Sequence, residues 1–258
     1  MKKLFTALFC LLFSASASFA ADLTVTVENL QPAGGIFFTP LWAGFHDGGF
    51  DVFNVGGTAS SSLIAIAEEG DTAPLMAAFA GSSGGGVDGA VAPGTPFGPA
   101  GSSFASSASA DFTVDPSSHR YFSFASMVIP SNDGFFGNDD PMAYQLFDGS
   151  GAFNGTLVID IFGANVYDAG SEVNDAMGAA FSALGGNDTD ETIAIAMHEG
   201  LDNFLNTGTA NGETILSGFS ADTPIARITV SQAVPEPNAS WMAMLGLPAL
   251  GLLRRRRR

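Results

Sequence analysis

Alternation of apolar and polar residues over short stretches limits this chain to a fold built largely of β-strands. Residues 23–27 (Leu-Thr-Val-Thr-Val) place apolar side chains at every second position, and residues 227–230 (Arg-Ile-Thr-Val) repeat the pattern far along the chain. A period of two indicates strands with one buried face. Further short stretches, separated by Gly, Pro, Asn and Asp, are residues 37–45, 111–114, 120–129, 142–147 and 155–162. This spacing is typical of sandwiches, so we predict an all-β fold, an antiparallel β-sandwich of about eight strands.

Two stretches have a helical pattern instead. Residues 61–69 end before Gly70, and residues 173–184 end before Gly185. Glycine is favoured where a helix ends in a left-handed conformation, so we predict one or two short helices. Residues 81–103 are mostly Gly, Ser, Ala and Pro. They carry too few large side chains to offset the entropy of ordering, which predicts a surface loop or flexible insert.

The first residues of the chain have the order of a secretory signal peptide. Lys2 and Lys3 precede an apolar run at 4–13, and small residues close the segment at Ala20. The run is shorter than the roughly 20 apolar residues that cross a membrane. We predict a signal peptide over residues 1–20 that is cleaved after Ala20, so that the protein is secreted.

The end of the chain resembles a sorting signal. A Pro-Glu-Pro motif at 235–237 is followed by an apolar stretch at 239–253 and by five arginines at 254–258. At about 1.5 Å per residue the stretch is short for a permanent transmembrane segment, and the arginines favour the cytoplasmic side. The arrangement closely resembles the PEP-CTERM signals of Gram-negative bacteria. That resemblance implies that residues 234–258 meet the membrane only transiently, that an exosortase processes them, and that the protein reaches the envelope, the outer surface or the matrix.

The segment between these ends, residues 21–233, is strongly acidic. It keeps only Arg120 and Arg227 of the nine basic residues but all acids except Glu236, so two positive charges face 25 negative ones and the formal net charge is −23. This charge repels phosphate backbones, which excludes nucleic acid as a partner, and it attracts divalent cations. Adaptation to a salty habitat would give the same composition.

Two acidic loops, at residues 129–140 and 167–175, offer ligands for a metal ion. Calcium takes roughly six to eight oxygen ligands, best supplied by carboxylates and carbonyls on loops that glycine allows to bend. Asp168 and Glu172 lie within one turn, and Asp133 or Asp139 could approach from a neighbouring strand end. Spacing alone also fits solvated loops that bind nothing.

Several segments resemble the spondin N-terminal domain family, known from F-spondin, mindin and related bacterial proteins. They include Phe-His-Asp-Gly at 45–48 and Tyr-Asp-Ala-Gly-Ser-Glu at 167–172, and the full set is residues 25–32, 38–48, 67–70, 126–133 and 167–172. The resemblance implies a calcium-binding antiparallel β-sandwich over residues 21–233 that adheres to cells and matrix. It places Asp133, Asp168 and Glu172 on the family's acidic calcium motifs, with Asp139 as a candidate fourth ligand.

Signatures of catalysis are weak. His46 and Asp47 could form a dyad with Ser83, but the Gly-rich tract after Ser83 lacks the helix that a nucleophile elbow requires. His46 is predicted instead to order a turn. His198 and Glu199 begin like a zinc-binding helix without the second His at the required spacing. The sequence leaves open a pair of catalytic carboxylates for glycoside cleavage, because the distance between two carboxylates depends on the fold.

The sequence therefore predicts an exported, calcium-binding, non-enzymatic adhesion protein of the cell surface, extracellular matrix or biofilm. An extracellular polysaccharide or a cell-surface molecule would be its partner. The alternatives are a secreted carbohydrate-active enzyme and a small-ligand-binding envelope protein. The 23 phenylalanines predict a Phe-packed core, and Trp42 is predicted to belong to it.

Overall fold

The computed structural model describes residues 20–82 and 86–233. The predicted signal peptide up to residue 19, the predicted sorting tail at 234–258 and Ser83 lie outside the described residues. Across the described ranges, no helix is both long and apolar enough to cross a membrane.

The described chain forms eleven strands and two α-helices. In chain order the strands are β1 (Ala21–Asn29), β2 (Phe37–Phe38), β3 (Leu41–His46), β4 (Val87–Val91), β5 (Ser107–Val114), β6 (Tyr121–Ile129), β7 (Gly134–Gly137), β8 (Leu157–Phe162), β9 (Val166–Asp168), β10 (Ala196–Met197) and β11 (Pro224–Gln232). The helices are α1 (Ser61–Glu69) and α2 (Ala73–Ala80). Two 3-10 turns, Gly163–Asn165 and Asp202–Phe204, complete the elements.

The strands form two antiparallel sheets, so the predicted all-β sandwich is confirmed. The smaller sheet has the order β5-β1-β11-β8, which pairs the first and last strands of the described chain. The larger sheet has the order β10-β9-β7-β6-β3-β4, and β2 also pairs with β6. The larger sheet thereby places β7 and β9, which border the two acidic loops, side by side.

Strand β1 shows why the smaller sheet forms. Leu23, Val25 and Val27 are fully buried, whereas the residues between them point away from the core. Burying each such side chain stabilises the fold by about 1.5–3 kcal/mol. On the outer face Thr24 donates a hydrogen bond to Asp111 of the neighbouring strand β5, at 2.7 Å.

Phenylalanine fills the space between the sheets, as predicted. The buried ones of this core are Phe38, Phe45, Phe97, Phe112, Phe122, Phe124, Phe136, Phe147 and Phe204. The larger sheet is also covered on its other face, where α1 and α2 pack against it. Trp42 lies in this second layer, fully buried, with its ring centroid 5.4 Å from that of Phe79 in α2. Its predicted core position is confirmed.

Helix α1 occupies the range predicted from the sequence. The Ser60 hydroxyl accepts a hydrogen bond from the Leu63 amide at the start, and Gly70 ends the helix with φ of 66°. Both are standard caps, since Ser satisfies a free amide and Gly tolerates the left-handed conformation. The helix lies against β6 and β7, which brings its C-terminal end near the acidic loops.

The helix predicted at 173–184 is wrong. This segment is irregular, with positive φ at Ala176 (67°) and Phe181 (64°), which a right-handed helix does not contain. Its backbone bonds to another loop instead: the Asn132 side chain accepts from the Ala176 amide at 3.1 Å and donates to the Met177 carbonyl at 3.0 Å. Tertiary hydrogen bonds have replaced the local helical ones.

The surface loop or flexible insert predicted at 81–103 is wrong over residues 87–91, which form strand β4, whereas residues 92–103 form a loop with many exposed positions. Strand β4 pairs with β3, and β4 contributes the buried Val91 to the main core. Phe97 exchanges backbone hydrogen bonds with Phe38, and their rings stack at 4.7 Å. A few large side chains and sheet pairing thus order a segment composed largely of small residues.

The stretch at 142–147, predicted as a strand, makes only isolated bridges.

Candidate metal centre

Pairing of β7 with β9 brings the two acidic loops together. Gly134 lies opposite Asp168 in this register, so Asp133 and Asp168 occupy neighbouring strand ends. The Ala169 amide donates to the Asp133 carbonyl at 3.2 Å and continues the pairing past the strand. Two carboxylates from segments distant in sequence therefore share one end of the larger sheet.

Asp133 is fully buried, and only one of its two carboxylate oxygens is satisfied. Its Oδ2 accepts hydrogen bonds from the Ser171 amide (2.8 Å), the Ser171 hydroxyl (3.3 Å) and the Glu172 amide (3.1 Å). Its Oδ1 is buried and has no hydrogen-bond partner among the residues that the structure describes. A buried carboxylate oxygen without a partner is costly, and it is the type of atom that a hard cation binds.

Asp168 is half-buried and held in a fixed orientation. Its Oδ1 accepts from the Gly170 amide and its Oδ2 from the Asn174 side-chain amide, each at 2.6 Å. Burial, and next the negative charge of Asp133, raise its pKa to about 6. Its two hydrogen bonds favour the ionised form and oppose this rise.

Glu172 is the most perturbed carboxyl group of the three. Its side chain is only 6% exposed. Burial, a hydrogen bond with Asp188 and the negative charge of Glu68 together raise its pKa to about 8. Near neutral pH it therefore holds its proton much more firmly than an ordinary Glu.

Glu68, Asp188 and Asp190 join Asp133, Asp168 and Glu172 in one acidic cluster. These three further acids were not identified from the sequence. Glu68, at the end of α1, has its pKa raised by burial, while a hydrogen bond with Ser171 opposes the rise. The segment that carries Asp188 and Asp190 lies beside residues 171–172. The Glu191 amide donates to the Ser171 carbonyl at 2.8 Å, and Asp190 lies opposite Glu172 in an isolated bridge. The acidic run Asp-Thr-Asp-Glu at 188–191 is the sequence feature that could have indicated this third acidic segment.

Asp139, the candidate fourth ligand, lies apart from this cluster. It is exposed and follows the other end of β7 from Asp133. Its charge acts on Tyr144 and Tyr167, where it adds to the burial that raises both pKa values. The structure brings Asp133, Asp168 and Glu172 together and leaves Asp139 at a distance.

Neither of the two basic residues that the structure describes, Arg120 and Arg227, pairs with this cluster. Arg227 pairs with Asp160 on the smaller sheet at 2.6 Å, and Arg120 lies over the ring of Tyr121. Within residues 20–82 and 86–233, no three acidic, His or Cys side chains already converge in a geometry that holds a metal ion. The donors are nevertheless all hard oxygens of the type that calcium prefers, and one of them, Asp133 Oδ1, has no hydrogen-bond partner among the described residues. In chemistry, therefore, the donor set fits a calcium ion.

A family model, Spondin_N, matches residues 31–185, more than half of the chain. The chain belongs to the spondin N-terminal domain family. The match contains Asp133, Asp168 and Glu172, together with α1 and the larger sheet's central strands. Spondin domains are generally extracellular, adhesion-type and non-enzymatic. A search of curated proteins finds no match.

The spondin domain uses His46 as a structural residue, as predicted. Its ring is fully buried, Nδ1 accepts from the Gly48 amide at 3.0 Å, and Nε2 lies 2.9 Å from the Ser123 hydroxyl. Asp47 is exposed and accepts from the Gly49 amide instead of orienting His46. Nδ1 thus holds the turn after β3, and Nε2 joins β3 to the neighbouring strand β6.

Acid should destabilise the fold through His46. Burial lowers its pKa to about 4, against about 6.5 when unfolded, so its contribution to stability is complete above pH 6.5 and is lost as pH falls from 6.5 towards 4. We expect His46→Gln, which keeps a donor towards Ser123, to remove this loss. The difference in unfolding free energy between wild type and variant should shift by about 2 kcal/mol in favour of the variant between pH 7 and 5. Urea unfolding at both pH values measures it, and a constant difference would contradict the assignment.

His198 lies beside Gly134, the residue that follows Asp133. Its ring is 6% exposed and lies 6.1 Å from that of Phe219. Burial lowers its pKa, and the nearby charges of Asp133 and Glu199 oppose this effect. It lies outside any helix, just after β10, so the zinc-helix pattern is not realised.

Proposed function

We propose that this spondin-domain protein is an exported, non-enzymatic adhesion component of the cell surface or extracellular matrix, and that a calcium ion orders its partner-binding end. The observation that carries the proposal is the fully buried Oδ1 of Asp133, which has no hydrogen-bond partner among the described residues and belongs to a carboxylate that acts on both Asp168 and Glu172. Family membership supports the extracellular, adhesive role.

Asp133, Asp168 and Glu172 would hold the ion. Calcium would bring positive charge to the cluster and would neutralise carboxylates that now raise one another's pKa. The residues themselves already fasten the two loops: Asp133 accepts from the backbone at 171–172, and Asp168 accepts from Asn174. An ion added there would stiffen this end of the sandwich and fix the surface that meets a partner.

An extracellular polysaccharide or a cell-surface molecule would be the partner, and an exosortase would process the C-terminal tail. The first follows from the adhesive family, and the second from the sequence resemblance of residues 234–258. A secreted carbohydrate-active enzyme is less well supported. The most perturbed carboxyl group, Glu172, is only 6% exposed, which leaves a sugar ring little access.

Calcium should raise the melting temperature of the protein. At a calcium concentration about 100 times the dissociation constant, binding to the folded state alone adds about 2.7 kcal/mol. For a domain of this size that corresponds to roughly 5–10 °C. Calorimetry with calcium and with excess chelator, at fixed high ionic strength to keep general screening constant, measures the rise.

Matched variants assign the effect to the cluster. The double variant Asp168→Asn, Glu172→Gln should lose the calcium-dependent rise, whereas Asp139→Asn, an exposed acid at the far end of β7, should keep it. An unchanged melting temperature of the wild type would mean that these carboxylates bind no calcium. The strong acidity of the chain would then reflect adaptation to salt.

A further inference from the structure

A cavity of about 340 Å³ opens next to the end of the sandwich that carries the acidic cluster. It lies between residues 197–199, at the end of β10, and residues 219–221, which precede β11. His198 belongs to its wall and also lies beside Gly134, the first residue of β7. A cavity of this volume is in the range that holds a small ligand or one unit of a larger one.

Both walls of the cavity are fastened to one stretch of chain, residues 164–166. On one side the His198 amide donates to the Val166 carbonyl at 2.9 Å. On the other side the Ala164 amide donates to the Ala221 carbonyl at 3.0 Å. Backbone hydrogen bonds therefore fix the distance between the walls, so the cavity is preformed.

The lining combines apolar surface with one kind of charge. Phe219 is half-buried, and Gly163 allows its ring to lie close, because a Cβ added to Gly163 would lie 2.7 Å from that ring. Met197 is 58% exposed and adds a flexible apolar side chain. Glu199 is exposed and brings a carboxylate. Burial lowers the pKa of His198, so its ring adds no positive charge near neutral pH.

This lining favours a ligand that carries an ammonium group on an apolar body. A carboxylate accepts charge-assisted hydrogen bonds from an ammonium group. An aromatic ring attracts a cation and also packs against CH groups. At longer range, the formal net charge of −23 over residues 21–233 repels anionic polymers and attracts cationic ones.

We infer that this cavity binds an amino sugar with a free ammonium group, as one unit of an extracellular polysaccharide. Glu199 accepts hydrogen bonds from the ammonium group, and the CH face of the sugar ring packs against Phe219. The inference rests on the proposed function, since it narrows the partner of the adhesion protein to a polysaccharide that carries positive charge. A lysine side chain of a protein partner offers the same ammonium group without the sugar ring, so the experiment includes it.

A trimer of glucosamine and its N-acetylated counterpart are matched probes, because they differ only at the amino groups. Titration calorimetry at fixed ionic strength compares them. We expect the free-amine trimer to bind, and the acetylated trimer to bind about 10-fold more weakly or less. Glu199→Gln should weaken binding of the free-amine trimer about 10-fold, since it removes a charge-assisted hydrogen bond. Glu69→Gln, which neutralises an exposed acid at the end of α1, should leave the affinity unchanged.

Nuclear Overhauser effects between the Phe219 ring and the CH protons of the bound trimer should locate the sugar. A free-amine trimer that does not bind, or that binds without these effects, would overturn the inference. So would equal affinity for the two trimers, or an equal loss in the two variants, which would reduce binding to general attraction by an acidic protein. If Nα-acetyl-lysine amide binds as tightly as the free-amine trimer, the cavity belongs to a basic protein partner instead.

The calcium-dependent rise in melting temperature is measured separately from this binding. A rise that persists while the trimer fails to bind would refute the amino-sugar site and leave the proposed role of calcium standing. Binding of the trimer to a protein whose melting temperature ignores calcium would refute the role of calcium alone.

Discussion

Replacing Asp133 by alanine should lower the melting temperature by roughly 6–12 °C in excess chelator, before any metal is considered. The variant loses the acceptor for the buried amides of Ser171 and Glu172. Each unpaired buried donor costs about 1–3 kcal/mol. Part of the loss is offset because the Asp133 charge no longer repels Asp168 and Glu172. We expect a net loss of about 3 kcal/mol, and about 1 kcal/mol corresponds to roughly 2–4 °C in a domain of this size.

Asp133→Asn is the matched control. Its side-chain oxygen can still accept from the backbone at 171–172, and it removes the charge that raises the pKa of its neighbours. In chelator it should melt within a few degrees of the wild type or slightly above it. Both variants should lose stabilisation by calcium. If alanine and asparagine destabilise equally in chelator, the hydrogen bonds of Oδ2 do not fasten the loops.

The elements that could be predicted from the sequence are those specified by local patterns. Strand β1 alternates buried and outward residues along its whole length, and α1 carries its own caps, Ser60 and Gly70. The wrong predictions concern segments that distant partners organise. Asn132 captures the backbone of residues 176–177 and prevents a helix, and pairing with Phe38 orders Phe97 in a Gly-rich region.

The candidate site divides in the same way. Asp168 and Glu172 belong to one loop, which the spacing indicated, and the charge of Asp133 acts on both of them. Asp133 approaches this loop because β7 pairs with β9 in a register that places Gly134 opposite Asp168. From the sequence alone, either Asp133 or Asp139 could have been the residue that approaches. Glu68 reaches the cluster only because α1 packs on the larger sheet. His198 looked like half of a zinc motif, and its position beside Asp133 depends on a glycine in another strand.

Without calcium, the protein should become more stable as the pH falls from 8 to 6.5. The pKa of Glu172 is about 8 in the folded state, mainly through burial, then through its hydrogen bond with Asp188 and the charge of Glu68. In the unfolded chain it is about 4.3. Between these values the folded state binds the extra proton, so the contribution of Glu172 to stability is fully present below about pH 4.3 and is lost as the pH rises towards 8. Asp168, with a pKa of about 6, acts in the same direction below that range.

Between pH 8 and 6.5 the titration of Glu172 is separated from that of His46, which destabilises the fold mainly below about pH 6.5. From pH 8 to 6.5 we expect a gain of about 1–2 kcal/mol, or roughly 3–6 °C in melting temperature, measured by calorimetry in chelator. Glu172→Gln should abolish the gain, because a neutral amide does not titrate. Saturating calcium should also abolish it, since the ion replaces the proton and releases it on binding. A gain that persists in Glu172→Gln would assign the titration to another group and remove Glu172 from the proposed ligands.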